Sequence, residues 1–283
     1  MDILKFKNFS WTYEGFNTPI IKKINLTIKK GEFVGMIGRV GAGRSSLCSS
    51  ILGLIPHFYP GKFEGNIIVD GVDVETSSLS KLSTIVGLVF QSPTNQLSGA
   101  GTTVEEELAF GLENLGIQRH EIIKRVEEMV KLIGLEKFSS RNPFELSGGQ
   151  QQKVAIASVL IMEPKILVMD EPTAQLDPLG TKLVFDLIKK LASKGITILL
   201  NTQNVDQLAE FADRIIIMDK GEIAADGDAR SILTDITLLK KYGIEPSQLT
   251  TLSYKMKEKK LWNKPLCLTM KDAEEMVCEV MKR

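Results

Sequence analysis

Histidine is nearly missing from this sequence. It occurs only as His57 and His120, so nothing after residue 120 offers an imidazole. A histidine-rich metal centre is excluded. Cysteine is almost as scarce: Cys48, Cys267 and Cys278 form no C-x-x-C pair. An odd, sparse set fits a reducing cytosol rather than a disulfide framework, and Cys48 is expected in the core. No apolar run approaches the roughly 20 residues that a membrane helix needs. The opening Met1-Asp2-Ile3-Leu4-Lys5 lacks the layout of a signal peptide. Any membrane role is therefore expected to come through a partner. Surplus charge is absent as well. The 35 Lys and Arg residues balance the 35 Asp and Glu residues, which leaves no basic footprint for nucleic acid.

What is present suits a globular protein. The 283 residues are 43% hydrophobic, enough for one large domain and a smaller one. The chain is organised around Gly38-Arg39-Val40-Gly41-Ala42-Gly43-Arg44-Ser45-Ser46. The apolar run Phe33-Val34-Gly35-Met36-Ile37 before it reads as a buried strand, and residues 47–54 after it read as the start of a helix. Strand, glycine loop and helix form the context in which G-x-x-x-x-G-K-[S/T] becomes a phosphate cradle. Glycines let backbone N–H groups approach phosphates, and the helix N-terminus adds partial positive charge. Ser45 would hold Mg²⁺ through its hydroxyl, whereas the lysine of the motif is here Arg44. The alternative is a glycine-rich turn with no ligand, and the downstream motifs favour the phosphate.

Along the rest of the chain, residues 3–37 read as β structure, with imperfect alternation of Leu4, Phe6, Phe9 and Trp11 and clean alternation of Ile24, Leu26 and Ile28. Tyr13, expected just past the first strand, is either a platform for a purine ring or an ordinary half-buried tyrosine. Residues 65–70 read as a strand, with a hairpin turn at Asp70-Gly71. Residues 85–90 read as a strand running into the polar loop Gln91-Ser92-Pro93-Thr94-Asn95-Gln96, which is either a plain connection or ligand-contacting. Residues 103–135 read as helical, with Ile122, Ile123, Val126, Met129, Val130 and Ile133 on one apolar face expected in the core. Glu105, Glu106 and Glu107 at the start of that stretch complement the helix dipole more simply than they form a functional patch.

Leu146-Ser147-Gly148-Gly149-Gln150 opens a further helix, again with anion-binding chemistry at its start. The apolar strand Ile166-Leu167-Val168-Met169 ends in Asp170-Glu171. Two carboxylates there are costly unless they hold a metal or activate water. Ala174-Gln175-Leu176-Asp177 follows, then an amphipathic helix, a strand ending at Asn201-Thr202-Gln203-Asn204, and a hairpin around Lys220-Gly221. From about residue 231 the composition shifts. The run of residues 255–260 is charged and expected to be solvated. Thr269 and Asp272 have capping-box spacing. Ala273, Met276, Val277, Val280 and Met281 form an apolar stripe expected in a subunit contact.

This set of motifs over residues 3–228 resembles the ATP-binding-cassette (ABC) ATPases. Gly38, Gly41, Ala42, Gly43, Arg44, Ser45 and Ser46 resemble the Walker A loop, and residues 166–170 resemble Walker B. Gln91 is similar to the Q-loop glutamine, residues 146–150 to the signature motif, residues 174–177 to the D-loop and Tyr13 to an adenine-stacking aromatic. Phe90-Gln91-Ser92-Pro93-Thr94-Asn95-Gln96-Leu97, then residues 103–111, and a tail with Pro265-Leu266 more narrowly resemble the ATPases of energy-coupling factor (ECF) transporters. In that family the Asn-Gln pair after the Q-loop starts an extra short helix.

The resemblance implies an α/β fold. It would have a RecA-like P-loop core, an antiparallel β subdomain, a helical signature subdomain and a small C-terminal helical domain. The expected division is a nucleotide-binding domain over residues 1–230, with the helical subdomain at about 99–150, and a dimerisation domain over residues 231–283. It further implies ATP and Mg²⁺ as cofactors. The expected catalytic residues are Glu171, Gln203 and Gln91, and the expected metal ligands are Ser45, Gln91 and Asp170. Nucleotide would also touch Tyr13, the Walker A residues, Asp177 and, across a dimer, Ser147, Gly148, Gly149 and Gln150. The partners implied are a second cassette, a membrane T-component and, indirectly, a substrate-binding S-component for a vitamin or metal ion, at the cytoplasmic face of the membrane. Two departures stand out: Arg44 replaces the Walker A lysine, and Gln203 occupies the switch-histidine position. The site on this chain's phosphate loop is thus expected to be weakened while its lent signature loop is sound, as in a heterodimer of unlike cassettes. A non-hydrolysing partner cassette is the nearest alternative. A cassette acting on nucleic acid or ribosomes is disfavoured by zero net charge, a single cassette and the lack of a long coiled coil.

Overall fold

The computed structural model describes residues 1–174 and 176–281. Its strands in chain order are β1 (Asp2–Tyr13), β2 (Ile21–Lys29), β3 (Phe33–Gly38), β4 (Gly61–Val69) and β5 (Val72–Asp73), then β6 (Val86–Val89), β7 (Ile166–Asp170), β8 (Thr197–Asn201), β9 (Arg214–Asp219) and β10 (Glu222–Asp228). They form an antiparallel sheet in the order β2-β1-β4-β5 and a second sheet in the order β10-β9-β3-β8-β7-β6. In the second sheet β9, β3, β8, β7 and β6 are parallel and only β10 runs against its neighbour. The fold is a RecA-like α/β cassette with an antiparallel β layer, a helical layer and a small helical tail.

Continuous apolar runs make the parallel strands, because both faces of such a sheet are covered. Every residue of β7 before Asp170 and all of β8 are buried. One core lies between the two sheets around helix Arg44–Leu52 and includes Cys48. A second covers the other face with Val184, Phe185 and Ile188 of helix Pro178–Ser193. A third joins Leu97, Leu108 and Val126 to Val154 and Ile161 of the helical layer.

Several sequence expectations shift in detail. The imperfect alternation in β1 is a bulge. Pairing with β2 slips between Phe6 and Phe9, and Asn8 sits at φ 48° with its N–H donated to Asn25 Oδ1. The extra residue turns both Phe6 and Phe9 into the core. Tyr13 is the last residue of β1 rather than past it, and the strand expected over 65–70 begins at Gly61. The stretch 103–135 is two helices, Val104–Asn114 and Arg119–Leu132, because Gly116 at φ 71° ends the first. Ile123, expected on the core face, is 49% exposed because Ile122, Val126 and Val130 define the side turned inward. Of the three opening glutamates, Glu106 completes a capping box with Thr103. Glu107 is buried and accepts from Ser98 N at 2.6 Å, Ser98 Oγ and Gly99 N, pinning the loop after β6 to the helical layer.

The tail also departs from expectation. Ile232, Leu233 and Leu239 join the core of the six-stranded sheet. A separate small core of Trp262, Cys267 and Met276, with Leu249 and Met256 against it, starts at helix Gln248–Glu258. The apolar stripe of helix Met270–Val280 is therefore divided. Ala273 and Met276 are buried within this chain, while Val277 and Met281 are 45% and 82% exposed. Met276 was not reserved for a partner because Trp262 and Cys267 reach it first.

Asp272 fastens this unit to the cassette. Burial pushes its carboxyl up, but backbone N–H groups of Leu268 and Thr269 and the Arg230 guanidinium at 2.7 Å outweigh that and bring it down to about 2. A carboxyl lowered on folding contributes stability that is complete above its unfolded value and is lost as pH falls through its folded value. The contribution thus fades between about pH 4 and about pH 2. Asp272→Asn keeps a cap acceptor and loses the charge. It is expected to destabilise the small core by about 1–2 kcal/mol at neutral pH, read from Trp262 fluorescence in a Trp11→Phe background.

Candidate functional site

The carboxyl ends of the parallel strands carry the polar residues, which is where open α/β sheets place their ligands. The phosphate-loop segment follows β3, Gln91 follows β6, Asp170-Glu171 close β7, and Asn201 to Gln203 close β8. Parallel register sets Asp170 beside Asn201 and Asn201 beside Met36. Backbone geometry makes the loop possible. Gly38 lies so close to Met218 that a Cβ would fall 2.2 Å from the Met218 carbonyl oxygen. Gly43 holds φ 93° at the N-cap of helix Arg44–Leu52, with no side chain to cap it. The first N–H groups of that helix therefore have no partner within it and are left for a ligand.

These ends surround a cavity of about 480 Å³, within the roughly 300–1,000 Å³ of small-molecule sites. Gly41, Ala42, Gly43, Arg44, Ser45 and Ser46 line one side. Gln91, Asp170, Glu171 and Gln203 line the other, so phosphate-loop and carboxylate residues named from the sequence share one space.

The polar groups at its base form a connected chain. Arg44 is 7% exposed. Its Nη1 donates to Asn201 Oδ1 and lies 3.5 Å from Glu171 Oε1. Asn201, 1% exposed, donates its Nδ2 to Asp170 Oδ1. Glu171 sits at φ 48°, held by its own N–H to Asn201 O at 2.8 Å and by Gln203 N donating to Oε2 at 3.2 Å. Burial pushes the Glu171 carboxyl up, opposed by the Gln203 N–H and the Arg44 charge. Burial also raises the Cys48 thiol well above its usual range, so it stays a neutral core residue.

Other sequence-named residues stand outside the cavity. Tyr13 reaches it only through its hydroxyl, 3.0 Å from Ser46 Oγ, while its ring meets Trp11 and Tyr59 edge-on. Ser147 caps helix Gly148–Leu160 in a capping box with Gln150, and Ser147 and Gly148 are exposed. Asp177 caps helix Pro178–Ser193 by accepting from Gly180 N at 2.7 Å. Gln175 between these elements lies outside the described residues. The short helix expected to start at Asn95-Gln96 is instead a 3₁₀ turn over Pro93–Asn95 that ends there, because Pro93 opens the turn and Gln96 folds back, its Oε1 accepting from Phe90 N at 3.1 Å.

A family model described as ABC transporter matches residues 21–174, more than half the chain. The chain belongs to the family of ABC transporter ATP-binding cassettes. An energy-coupling factor transporter ATP-binding protein of Caldanaerobacter subterraneus is 39% identical over 98% of this chain and 99% of its own length. Among solved structures, cbiO1 of Clostridium perfringens, part of the ABC transporter complex cbiONQ, superposes with a TM-score of 0.72 at 32% identity, covering 90% of this chain and 99% of that one. A dimeric cassette solved after hydrolysis with ADP and Pi gives a TM-score of 0.71 at 30% identity, covering 80% of this chain and 99% of that one.

Membership in the family implies binding and hydrolysis of ATP, and the cassette's cavity suits it. Uncapped amides and the Arg44 cation face the space where phosphates would sit. Ser45, Gln91 and Asp170 line it too, and their hydroxyl, amide and carboxylate oxygens are the hard donors that would hold Mg²⁺. Mg²⁺ is commonly held by few protein oxygens plus phosphates and water. Among the described residues no three Asp, Glu, His or Cys side chains gather into a self-sufficient metal site.

The residue that sequence reasoning passed over is Asn201. Its only local signal was one amide closing a strand otherwise made of Thr197, Ile198, Leu199 and Leu200. Its partners are 157 and 31 positions away in the chain.

Proposed function

We propose that this chain is the ATP-binding and ATP-hydrolysing subunit of an ECF-type importer, working at the cytoplasmic face of the cell membrane. The observation that carries this reading is likeness to an ECF transporter ATP-binding protein over nearly the whole of both chains, tail included. Among the described residues no helix is long and apolar enough to cross a membrane, so transport requires a membrane T-component and, through it, an S-component that chooses a vitamin or metal ion. A groove between the core and the helical layer, lined by Ser83, Gln96, Ser98 and the 39% exposed Phe110, supports a docking place for the T-component.

In this reading Gly41 to Ser46 hold the phosphates of ATP, and Ser45, Gln91 and Asp170 hold Mg²⁺, which neutralises phosphate charge when bound. Glu171 orients and deprotonates the attacking water. Ser147, Gly148 and Gly149 donate to nucleotide held by the neighbouring cassette, which accounts for the exposure of Ser147 and Gly148 outside this chain's own cavity. Domain roles follow: residues 1–230 bind nucleotide, with the helical layer over about 99–150 presenting the signature loop, and residues 231–283 strengthen the dimer. The neighbour is an unlike cassette, because Arg44 is drawn toward Asn201 and Glu171 and Gln203 carries no charge in the switch position. A second reading, a cassette that binds nucleotide without hydrolysing it, draws on the same two residues. Steady-state ATPase activity with and without the partner cassette separates the two.

Purification of the tagged chain from detergent-solubilised membranes tests the proposal. The expected result is a fixed complex with an unlike cassette and an integral membrane subunit. Recovery of only a soluble homodimer would overturn it.

A further inference from the structure

We propose that Asn201 is a positioning residue for Arg44, and that the two work as one unit in place of the Walker A lysine. The inference rests on reading the cavity as a nucleoside triphosphate site. Arginine is longer than lysine and ends in a planar fork with several donors. A fork at position 44 needs an acceptor at the base of the cavity, and β8 supplies it. Asn201 Oδ1 takes Nη1 of Arg44, while Asn201 Nδ2 donates to Asp170 Oδ1. One buried amide thus serves the phosphate-loop cation and the carboxylate at the end of β7 together. In the structure both contacts made by Arg44 use Nη1, and no hydrogen bond among the described residues uses Nε or Nη2. With Nη1 committed, the other edge of the fork is available to phosphate oxygens in the cavity that Arg44 lines.

The arrangement makes each residue depend on the other. A leucine at 201 keeps the shape of asparagine but leaves a guanidinium N–H and an Asp170 oxygen without their partner, a costly loss in a buried place. A lysine at 44 leaves the Asn201 carbonyl without its donor. Changing both removes the guanidinium N–H and the Asn201 carbonyl together and leaves only the Asp170 oxygen without its donor. Arg44→Lys, an apparent return to the usual motif, is therefore harmful alone but relieves the guanidinium left unmet by Asn201→Leu when the two are combined.

A double-mutant cycle on nucleotide binding tests this. The probe is a fluorescent ATP analogue titrated into the purified full chain, with Mg²⁺ varied. Asn201→Leu and Arg44→Lys are each expected to weaken binding about tenfold, the scale of one hydrogen bond to a charged group. At saturating Mg²⁺ the double variant is expected to return to within about threefold of wild type, while it keeps the raised Mg²⁺ requirement of the Asn201 change. Asn201→Leu alone is expected to raise the Mg²⁺ concentration needed for half-maximal binding, because Asp170 has lost its orienting donor; general loosening of the fold would not confine the loss to Mg²⁺-dependent binding. Thermal melting without nucleotide checks folding, and Asn201→Thr replaces Asn201→Leu in the cycle if the latter does not fold. Unchanged affinity in the Asn201 variant, or additive losses in the double variant, overturns the proposal alone. A well-folded wild-type chain that fails to bind the nucleotide at any Mg²⁺ concentration overturns the site reading and the proposal together.

Discussion

Ser147→Arg on this chain is expected to cut ATP turnover of the two-cassette complex at least about 10²-fold, whereas Glu171→Gln on the same chain costs far less. Ser147 is exposed at the start of helix Gly148–Leu160 and takes no part in this chain's own cavity. In the proposed complex it serves nucleotide bound to the partner's phosphate loop. Arginine there places a bulky cation against that site and removes the hydroxyl that accepts from Gln150 N. In that proposal Glu171 serves only the site built on this chain's own loop, which Arg44 and Gln203 are proposed to weaken, so little turnover is expected there to lose. The measurement is steady-state phosphate release by complexes carrying one variant chain and a wild-type partner. Equal silencing by the two substitutions would show that both sites turn over and would end the asymmetric reading.

Much of this architecture was legible because it is locally encoded. A buried strand, three glycines and a helix lie contiguous in residues 33–52, so backbone periodicity and glycine placement point to the phosphate loop without tertiary knowledge. Asp170 and Glu171 were conspicuous because carboxylates rarely close an apolar run. The two-residue turns at Asp70-Gly71 and Lys220-Gly221, all at positive φ, were equally local.

What stayed hidden depends on contacts between distant segments. The bulge at Asn8 registers in sequence only as faulty alternation, and its cause is pairing with Asn25 on the neighbouring strand. The apolar stripe of helix Met270–Val280 announces burial but not its partner, and Trp262 and Cys267 settle that only once the chain has folded back. The role of Asn201 is the clearest instance. An amide at a strand end reads as a boundary residue until Arg44 and Asp170 are seen on either side of it.

Restoring the usual phosphate-loop chemistry in full is expected to raise ATP hydrolysis by the isolated chain about 10²-fold. The wild-type chain alone should bind ATP through the amides of the loop yet turn it over slowly. The proposed weakness lies in two things the γ-phosphate would lack: an untethered point-like cation from the loop, and a cationic donor from position 203. Arg44→Lys supplies the first only if Asn201→Leu accompanies it, since the Asn201 carbonyl would otherwise lack its donor, and saturating Mg²⁺ offsets the donor that Asp170 then loses. Gln203→His supplies the second. The backbone N–H of residue 203 already donates to Glu171 Oε2 at 3.2 Å, so the new side chain starts from a fixed main-chain position beside the carboxylate proposed to activate water. A single donor to transition-state charge is worth about 10²–10³ in rate, and the gains are not additive when residues act as a unit. The triple variant should therefore outpace both Gln203→His and the Arg44→Lys, Asn201→Leu pair. Phosphate release by the purified chains at saturating ATP and Mg²⁺ is the measurement. A wild-type chain that already hydrolyses ATP as fast as the triple variant would show that Arg44 and Gln203 impose no handicap, and the weakened-site reading would fall.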